Sequence, residues 1–403
     1  MNRRHFIGFL RLFAAGVFAC FGMTAWCQQP VENPADTLMH FSVRPAPEWT
    51  GRFYRNEGWF GADGIFTMTL SGNESVGAGS RDSVLMYFSD TMTGTVVGDS
   101  AVQDFKMVNN SIAWVTGLKP LEETIKLQVN RGPDGSFTSY FAPHTPHTQP
   151  GEYYWFGDGF VNAEDHHSIN IFGYRVYDNS PQSWDFSIRG VTLITLPAGS
   201  QPPFARQEQI DLPLYIDQEG LGKGTFGAGV FVNTDWAGAP DPDGYVYVYG
   251  VLEPNKQLVV ARVPPAALRD AGAWRFWTGK DWSPDIRDVR PVTNRVSNEL
   301  SLTPLADGRY LLVFQEDGIG AYTDIRLADS PVGPFGPAQR VWQVPELSEP
   351  PGIIPYNAKA HPVLSNTGEL LISYNTISLD YFNDILRHPH MYRPRFFWLK
   401  VGE

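Results

Sequence analysis

Cysteine is almost missing from this chain. There are two in 403 residues, Cys20 and Cys27, and both fall within the first 27. Beyond them a thiol nucleophile, a cysteine-ligated zinc and a disulfide are all excluded. Charge is sparse too, at 18%. No run of five or more basic residues occurs, and 31 basic against 43 acidic residues leave a net charge of -12. Nucleic acid and an anionic membrane surface are therefore poor main partners. After residue 27 no apolar run approaches the ~18–20 residues of a membrane span. Helix signals are nearly absent. The best is Pro264-Pro265-Ala266-Ala267-Leu268-Arg269-Asp270, one or two turns with proline near the start. There is no phosphate-binding Gly-Lys-Ser/Thr loop, no dinucleotide fingerprint and no Gly-x-Ser-x-Gly elbow.

The first 27 residues read as a signal peptide. Arg3 and Arg4 form a positive start, an apolar stretch runs from Leu12 to Trp26, and Ala25 and Cys27 occupy the -3 and -1 positions before Gln28. A lipid anchor is the weaker reading, because Phe18 before Ala19-Cys20 and Trp26 before Cys27 fit a lipidation signal badly. Cleavage removes Arg3, Arg4 and Arg11 and no acid, so the net charge moves from -12 to -15. An exported, disulfide-free chain must be held by its own core. Residues 28–51 are read as an N-terminal extension and 52–403 as one domain.

That domain is rich in short β-branched and aromatic runs. DSVLMYFS (82–89), YVYVYG (245–250), QLVVARV (257–263), RYLLVF (309–314) and ELLISY (369–374) are bounded by Gly, Pro, Asp and Asn. Asp134-Gly135, Asp243-Gly244, Asp307-Gly308 and Thr367-Gly368 supply tight turns. The runs recur in units opening near Gly58, Gly151, Gly227, Ser297 and Tyr356, each with a small or polar start, an apolar strand and an aromatic end. Similar openings at a long period predict an all-β, five-bladed β-propeller, in which each blade buries its faces against its neighbours. A β-sandwich is the alternative, but it would not predict that the openings look alike. The Pro-rich stretch 344–355 is read as a loop between the last two blades.

Gly61-Ala62-Asp63-Gly64 paired with Phe88-Ser89-Asp90-Thr91, then Asn109-Asn110-Ser111, resembles the five-bladed propellers of glycoside-hydrolase type. Trp274-Arg275-Phe276-Trp277-Thr278-Gly279 with Trp282 fits the same group. The nearest resemblance is to exported bacterial proteins of the domain of unknown function 4185 group, some of which cleave arabinan. More distantly the chain is similar to arabinanase and fructosidase propellers. Ser89 stands where the commoner form has Gly, and Trp155-Phe156-Gly157-Asp158-Gly159 looks like a better copy of that piece.

In a propeller the first strand of each blade lines a central channel, and glycosidic cleavage needs two carboxyls there, one protonated and one ionised. Asp63 and Asp90 are candidates, although either could serve only as a turn residue. Glu299 sits in an alternating strand context where no turn requires an acid. Asp158 is held in reserve, and Asp235 in the third unit reads as solvated. Asp63 is assigned as the ionised base or nucleophile, with Gly64 letting substrate approach the backbone. Glu299 or Asp90 is the general acid, Asp90 being the choice the resemblance favours. Trp59, Trp155 and Trp236 could stack on sugar rings, and Asn110 and Ser111 could bond sugar hydroxyls; blade packing and strand capping are the plain alternatives. Lys359 could pair with a channel carboxylate. In the resembled propellers an axial histidine helps hold calcium, which makes His361 a candidate metal ligand against the plainer role of a hydrogen-bonded core histidine. Glu164-Asp165-His166-His167 is read as a polar loop, since its spacing matches no zinc pattern. The chain is thus expected to be an exported carbohydrate-active protein with a glycan substrate. The first choice is a glycoside hydrolase acting on arabinan-type furanosides, needing no cofactor beyond a possible structural calcium. The alternative is a non-catalytic carbohydrate-binding or protein-interaction propeller.

Overall fold

A computed structural model describes residues 39–182 and 184–402; the signal-peptide reading concerns residues outside that range. The described chain is all-β apart from single helical turns such as Pro47–Thr50 and Tyr381–Asp384. The 264–270 signal resolves to one 3-10 turn, Pro265–Ala267.

Five antiparallel sheets dominate. The first runs Phe66–Thr69, Ser83–Phe88, Ser111–Thr116, Ile125–Gln128. The second runs Tyr153–Asn162, Ser168–Asp178, Phe186–Leu196, Glu208–Leu212. The third is built on Gly222–Asn233, Tyr245–Glu253 and Gln257–Val263. Arg275–Trp277 and Trp282–Ser283 extend it on one edge and Tyr215–Gln218 on the other. The fourth runs Leu300–Pro304, Tyr310–Gln315, Tyr322–Ala328, Gln339–Gln343. The fifth runs Ile354–Ala360, Glu369–Ile377, Arg395–Val401 and closes on Phe41–Pro45. The Pro-rich stretch is the connection between the last two.

The fifth sheet corrects one boundary. Phe41–Pro45 pairs residue for residue with Val401 back to Phe397, and Trp49 behind it is fully buried. Residues 41–51 therefore belong to the folded domain rather than to an extension. The strand is an outer edge and mostly exposed, so it carries none of the apolar alternation that marks the others.

The first strand of each sheet packs on the first strand of the next, from first through fifth. The circuit returns to the first sheet through side chains, where the Thr67 hydroxyl meets His361 Nδ1 at 3.0 Å. Separate apolar clusters fill the spaces between neighbouring sheets, such as Phe172, Val191, Phe226 and Val248 between second and third. Burial at this scale is the main source of stability in a chain without disulfides.

The first unit departs from the expected pattern. Glu57–Ala62 does not open the first sheet. It pairs instead with Thr91–Val97 and Ala101–Val108 in a separate three-stranded sheet. That small sheet stands above the end of the circuit where Asp63 and Asp90 lie.

Candidate active site

Each first strand runs from the same end of the circuit, so residues just before it or at its start gather at one mouth. Asp63 precedes Phe66–Thr69, Glu299 precedes Leu300–Pro304, and Tyr356 lies early in Ile354–Ala360. Asp90 reaches the same mouth from the far end of the second strand, Ser83–Phe88.

Asp63 and Asp90 are locked side by side. The Asp63 N–H donates to the Asp90 carbonyl at 3.1 Å, and the Ser89 N–H donates to the Asp63 carbonyl at 2.9 Å. Gly64 serves this turn. Its φ is +60°, and a Cβ there would come within 2.5 Å of the Ser89 hydroxyl, which itself accepts from the Phe156 N–H at 2.8 Å. The glycine is needed for the fold, not to admit substrate as the sequence suggested.

The two carboxyls have different company. Asp63 Oδ2 accepts the Tyr356 hydroxyl at 2.9 Å, with a further hydrogen bond from Tyr392 and the Lys359 charge nearby. Asp63 Oδ1 is buried and has no protein partner. Burial pushes Asp63 up to about 6, against the pull of Tyr392, Tyr356 and Lys359. Asp90 accepts only neutral N–H groups, from Asn109 Nδ2 at 3.1 Å and Trp155 Nε1 at 3.0 Å. Burial, and then the charge of Asp63, push it up to about 8. Asp90 therefore keeps its proton to a higher pH than Asp63, and the charge of one raises the pKa of the other.

Glu299 is also buried, but it is satisfied. One oxygen accepts Asn357 Nδ2 at 2.6 Å and the other is ion-paired with Lys359. Lys359 is 3% exposed, and its Nζ lies 3.2 Å from the centroid of the Phe66 ring. Burial raises Glu299 to about 7 and Lys359 opposes it; burial in turn lowers Lys359. This pair holds the fourth and fifth sheets together inside the channel.

Asp158 is tied to backbone. Oδ1 takes the Gly159 N–H at 2.9 Å and Oδ2 takes the Val230 N–H at 2.8 Å, stitching the second sheet's first strand to the third's. Burial still raises it to about 6, with Lys359 pulling down. Toward the opposite mouth, a cavity of about 240 Å³ is bordered by Asp158, Lys359, His361, Thr303 and Glu74. Burial and the Asp158 charge push Glu74 well above the usual carboxylate range.

Of the proposed sugar contacts, Trp155 alone reaches the carboxyls, and the Phe186 ring packs edge-on against it at 4.6 Å. Trp59 is buried between Phe53 and Phe88 and spends its N–H on the Ser111 hydroxyl at 3.1 Å. Ser111 also meets the Thr91 hydroxyl at 2.7 Å. Asn110 is fully buried and fully used. It accepts the Tyr140 and Phe141 N–H groups and donates to the Phe141 carbonyl, pinning the loop at 140–141. These three hold structure because each polar atom already has a protein partner. Trp236 and the exposed Asp235 lie at the opposite mouth, where the Trp236 N–H meets Glu164 at 3.3 Å.

His361 is fully buried, with the Thr67 hydroxyl on Nδ1 and the Ser373 hydroxyl on Nε2 at 2.7 Å. Neither ring nitrogen is free to ligate a metal, and burial, then Lys359, lower its pKa to about 3. Among the described residues no group of three or more His, Cys, Asp or Glu could hold a metal ion. The residues present do not fit the calcium role suggested for His361. Residues 163–167 form a turn, as expected.

Sequence reasoning passed over Tyr392, Glu74 and the role of Tyr356. Tyr356 and Asn357 stand three and two residues before Lys359, and that polar opening of the last unit was the available signal.

Residues 47–401 match the domain of unknown function 5005, and the chain belongs to that family. No curated protein matches. Among solved structures, a candidate hydrolase from Bacteroides ovatus has a TM-score of 0.65 at 20% identity, covering 89% of this chain and 90% of its own. That likeness shows a shared fold. A GH43_1 enzyme from Xanthomonas citri complexed with xylose has a TM-score of 0.43 at 13% identity, covering 89% of each chain. An exo-beta-1,3-galactanase from Phanerochaete chrysosporium has 0.42 at 11%, covering 89% of this chain and 64% of its own.

Proposed function

We propose that this chain is an exported glycoside hydrolase on a five-bladed propeller, with Asp63 and Asp90 as its working carboxyls. The observation that carries the reading is the asymmetry of that pair. Two adjacent carboxyls at one channel mouth are given different partners, so that Asp63 ionises first and Asp90 keeps its proton. This is the division that glycosidic cleavage requires. The Bacteroides ovatus neighbour, described as a candidate hydrolase, supports the same class.

In this reading Asp90 donates its proton to the departing glycosidic oxygen, and Trp155 and Asn109 fix its orientation. Asp63, with the Tyr356 and Tyr392 hydroxyls supporting its charge, acts at the anomeric carbon, directly or through water. Glu299 is the weaker candidate for the acid, because Asn357 and Lys359 hold its two oxygens and commit it to the ion pair that joins the fourth and fifth sheets. Furanoside polymers of arabinan type are the first substrates to test, on the strength of the sequence resemblance.

The test is a screen of purified protein against arabinans, galactans and fructans, reading both new reducing ends and binding, with Asp63→Asn and Asp90→Asn beside the parent. Cleavage by the parent and loss in both variants supports the reading. Binding without cleavage selects a carbohydrate-binding propeller, and neither selects an interaction scaffold.

A further inference from the structure

The mouth that holds Asp63 and Asp90 is built unevenly. On two adjacent sheets the hairpin connections at that end are long: the first sheet carries 89–110, including two strands of the small sheet, and the fifth carries 378–394. On the third and fourth they are short, 254–256 and 316–321. The extra hairpin of the third sheet leans the other way, since Leu214, Ile216 and Phe226 share a core with Val176 and Val191 of the second.

The long connections form one body. Phe60, Met92 and Val96 of the small sheet share an apolar cluster with Ile377, Tyr381, Ile385, Met391 and Tyr392 of the fifth sheet's segment. The Tyr381 hydroxyl donates to the Met107 sulfur at 3.0 Å, and the Tyr54 and His390 rings stack at 3.7 Å. From the second sheet, Trp184 Nε1 donates to the Leu379 carbonyl at 3.2 Å, joining that sheet to the fifth sheet's segment. The connection bearing Trp184 is braced by Asp185, which accepts from Asn179 and Ser180. Tyr356 packs against that cluster and donates its hydroxyl to Asp63 at 2.9 Å, so the wall stands beside the pair. Opposite it the rim is polar, with Arg295 bridging Glu316 and Asp317, and Arg340 joining Glu316.

We infer that the wall makes this a chain-end site: a glycan lies with its end against the wall over Asp63 and Asp90, and its remaining units leave across the fourth sheet. A chain threading through from both sides would need an exit where the first, second and fifth sheets are joined. Preformed concave sites admit only what their walls allow. The inference rests on the glycan-hydrolase reading and adds the mode of action to it.

The experiment uses the full protein and whichever of linear arabinan, β-1,3-galactan or levan it cleaves. Products are separated by size while a small fraction of bonds is cut, with viscosity followed in parallel. The expected result is release of mono- or short oligosaccharides from the first turnovers with little loss of viscosity. A cyclic oligosaccharide of the same linkage, which has no end, is expected to stay intact. Early loss of viscosity with products spread over all lengths, or opening of the ring, overturns the chain-end inference while leaving the hydrolase reading standing. No cleavage of any of the three polymers overturns both.

Discussion

Two buried carboxylate pairs sit within one channel, and they are opposites. Glu299 faces a cation and an amide, so every charge there has a partner. Asp63 faces Asp90, a like group, and no cation bonds to either carboxyl directly. An ion pair closed on itself resists proton exchange and serves to join sheets. Two carboxyls that feel each other's charge ionise at different pH, and in the proposed mechanism the later one supplies the proton. Burial alone does not separate the two cases, because both pairs are buried. What separates them is whether the partner cancels the charge or repeats it.

The sharpest way to break this comparison is to remove ionisation from each acid in turn. Asp63→Asn and Asp90→Asn keep the shape and should each lower kcat by about 10²–10⁴-fold with circular dichroism unchanged. Asp90→Asn should also stabilise the protein at neutral pH. Its folded pKa is raised to about 8, so the stability it contributes is complete below the ordinary carboxylate pKa and is lost as pH rises toward 8. Asparagine removes that loss, and thermal melts at pH 5 and pH 8 should differ less in the variant than in the parent.

The ion pair should answer in the other currency. Lys359→Met leaves Glu299 buried without its cation and should cost about 3–5 kcal/mol in denaturant unfolding. Lys359→Met combined with Glu299→Leu removes both charges and should recover much of that loss. If Glu299 were the general acid, Glu299→Gln would abolish turnover while Asp90→Asn retained it, which reverses the assignment made here.

The sequence carried the strands well. Runs such as 83–88 and 369–377 are apolar because both faces are covered, and they stand out in any register. Asp63 and Asp90 were legible because short motifs bracket them. Polar residues were read less well. Asn110 and Ser111 look like sugar ligands in sequence, and only the loop at 140–141 and the ring of Trp59 reveal that their bonds are already spent. Partners arriving from far along the chain leave no local mark: Tyr356 is 293 residues from Asp63, and Trp155 is 65 from Asp90. The edge strand Phe41–Pro45 was missed for a different reason, since an exposed outer strand has no face to bury.

That contrast between spent and working side chains predicts a middle-sized effect. Asn110→Ala orphans two buried N–H groups and should destabilise by about 2 kcal/mol, with KM unchanged on any glycan that is cleaved. A raised KM with full stability would return Asn110 to the binding residues.

The smallest effect tests the fine setting of the pair. Trp155 donates its N–H to Asp90, and a donor favours the ionised carboxylate. Trp155→Phe keeps an aromatic ring against Phe186 but loses that donor, so the proton on Asp90 should be held more tightly. Activity in this mechanism requires Asp63 ionised and Asp90 protonated, a window bounded near 6 on the acid side and near 8 on the alkaline side. The alkaline limb of kcat/KM should therefore move upward in Trp155→Phe. One neutral hydrogen bond of about 1 kcal/mol corresponds to roughly half to one pH unit. The acid limb should move far less, because Trp155 does not bond to Asp63. A shift of the acid limb instead would place the general acid on Asp63 and exchange the two roles.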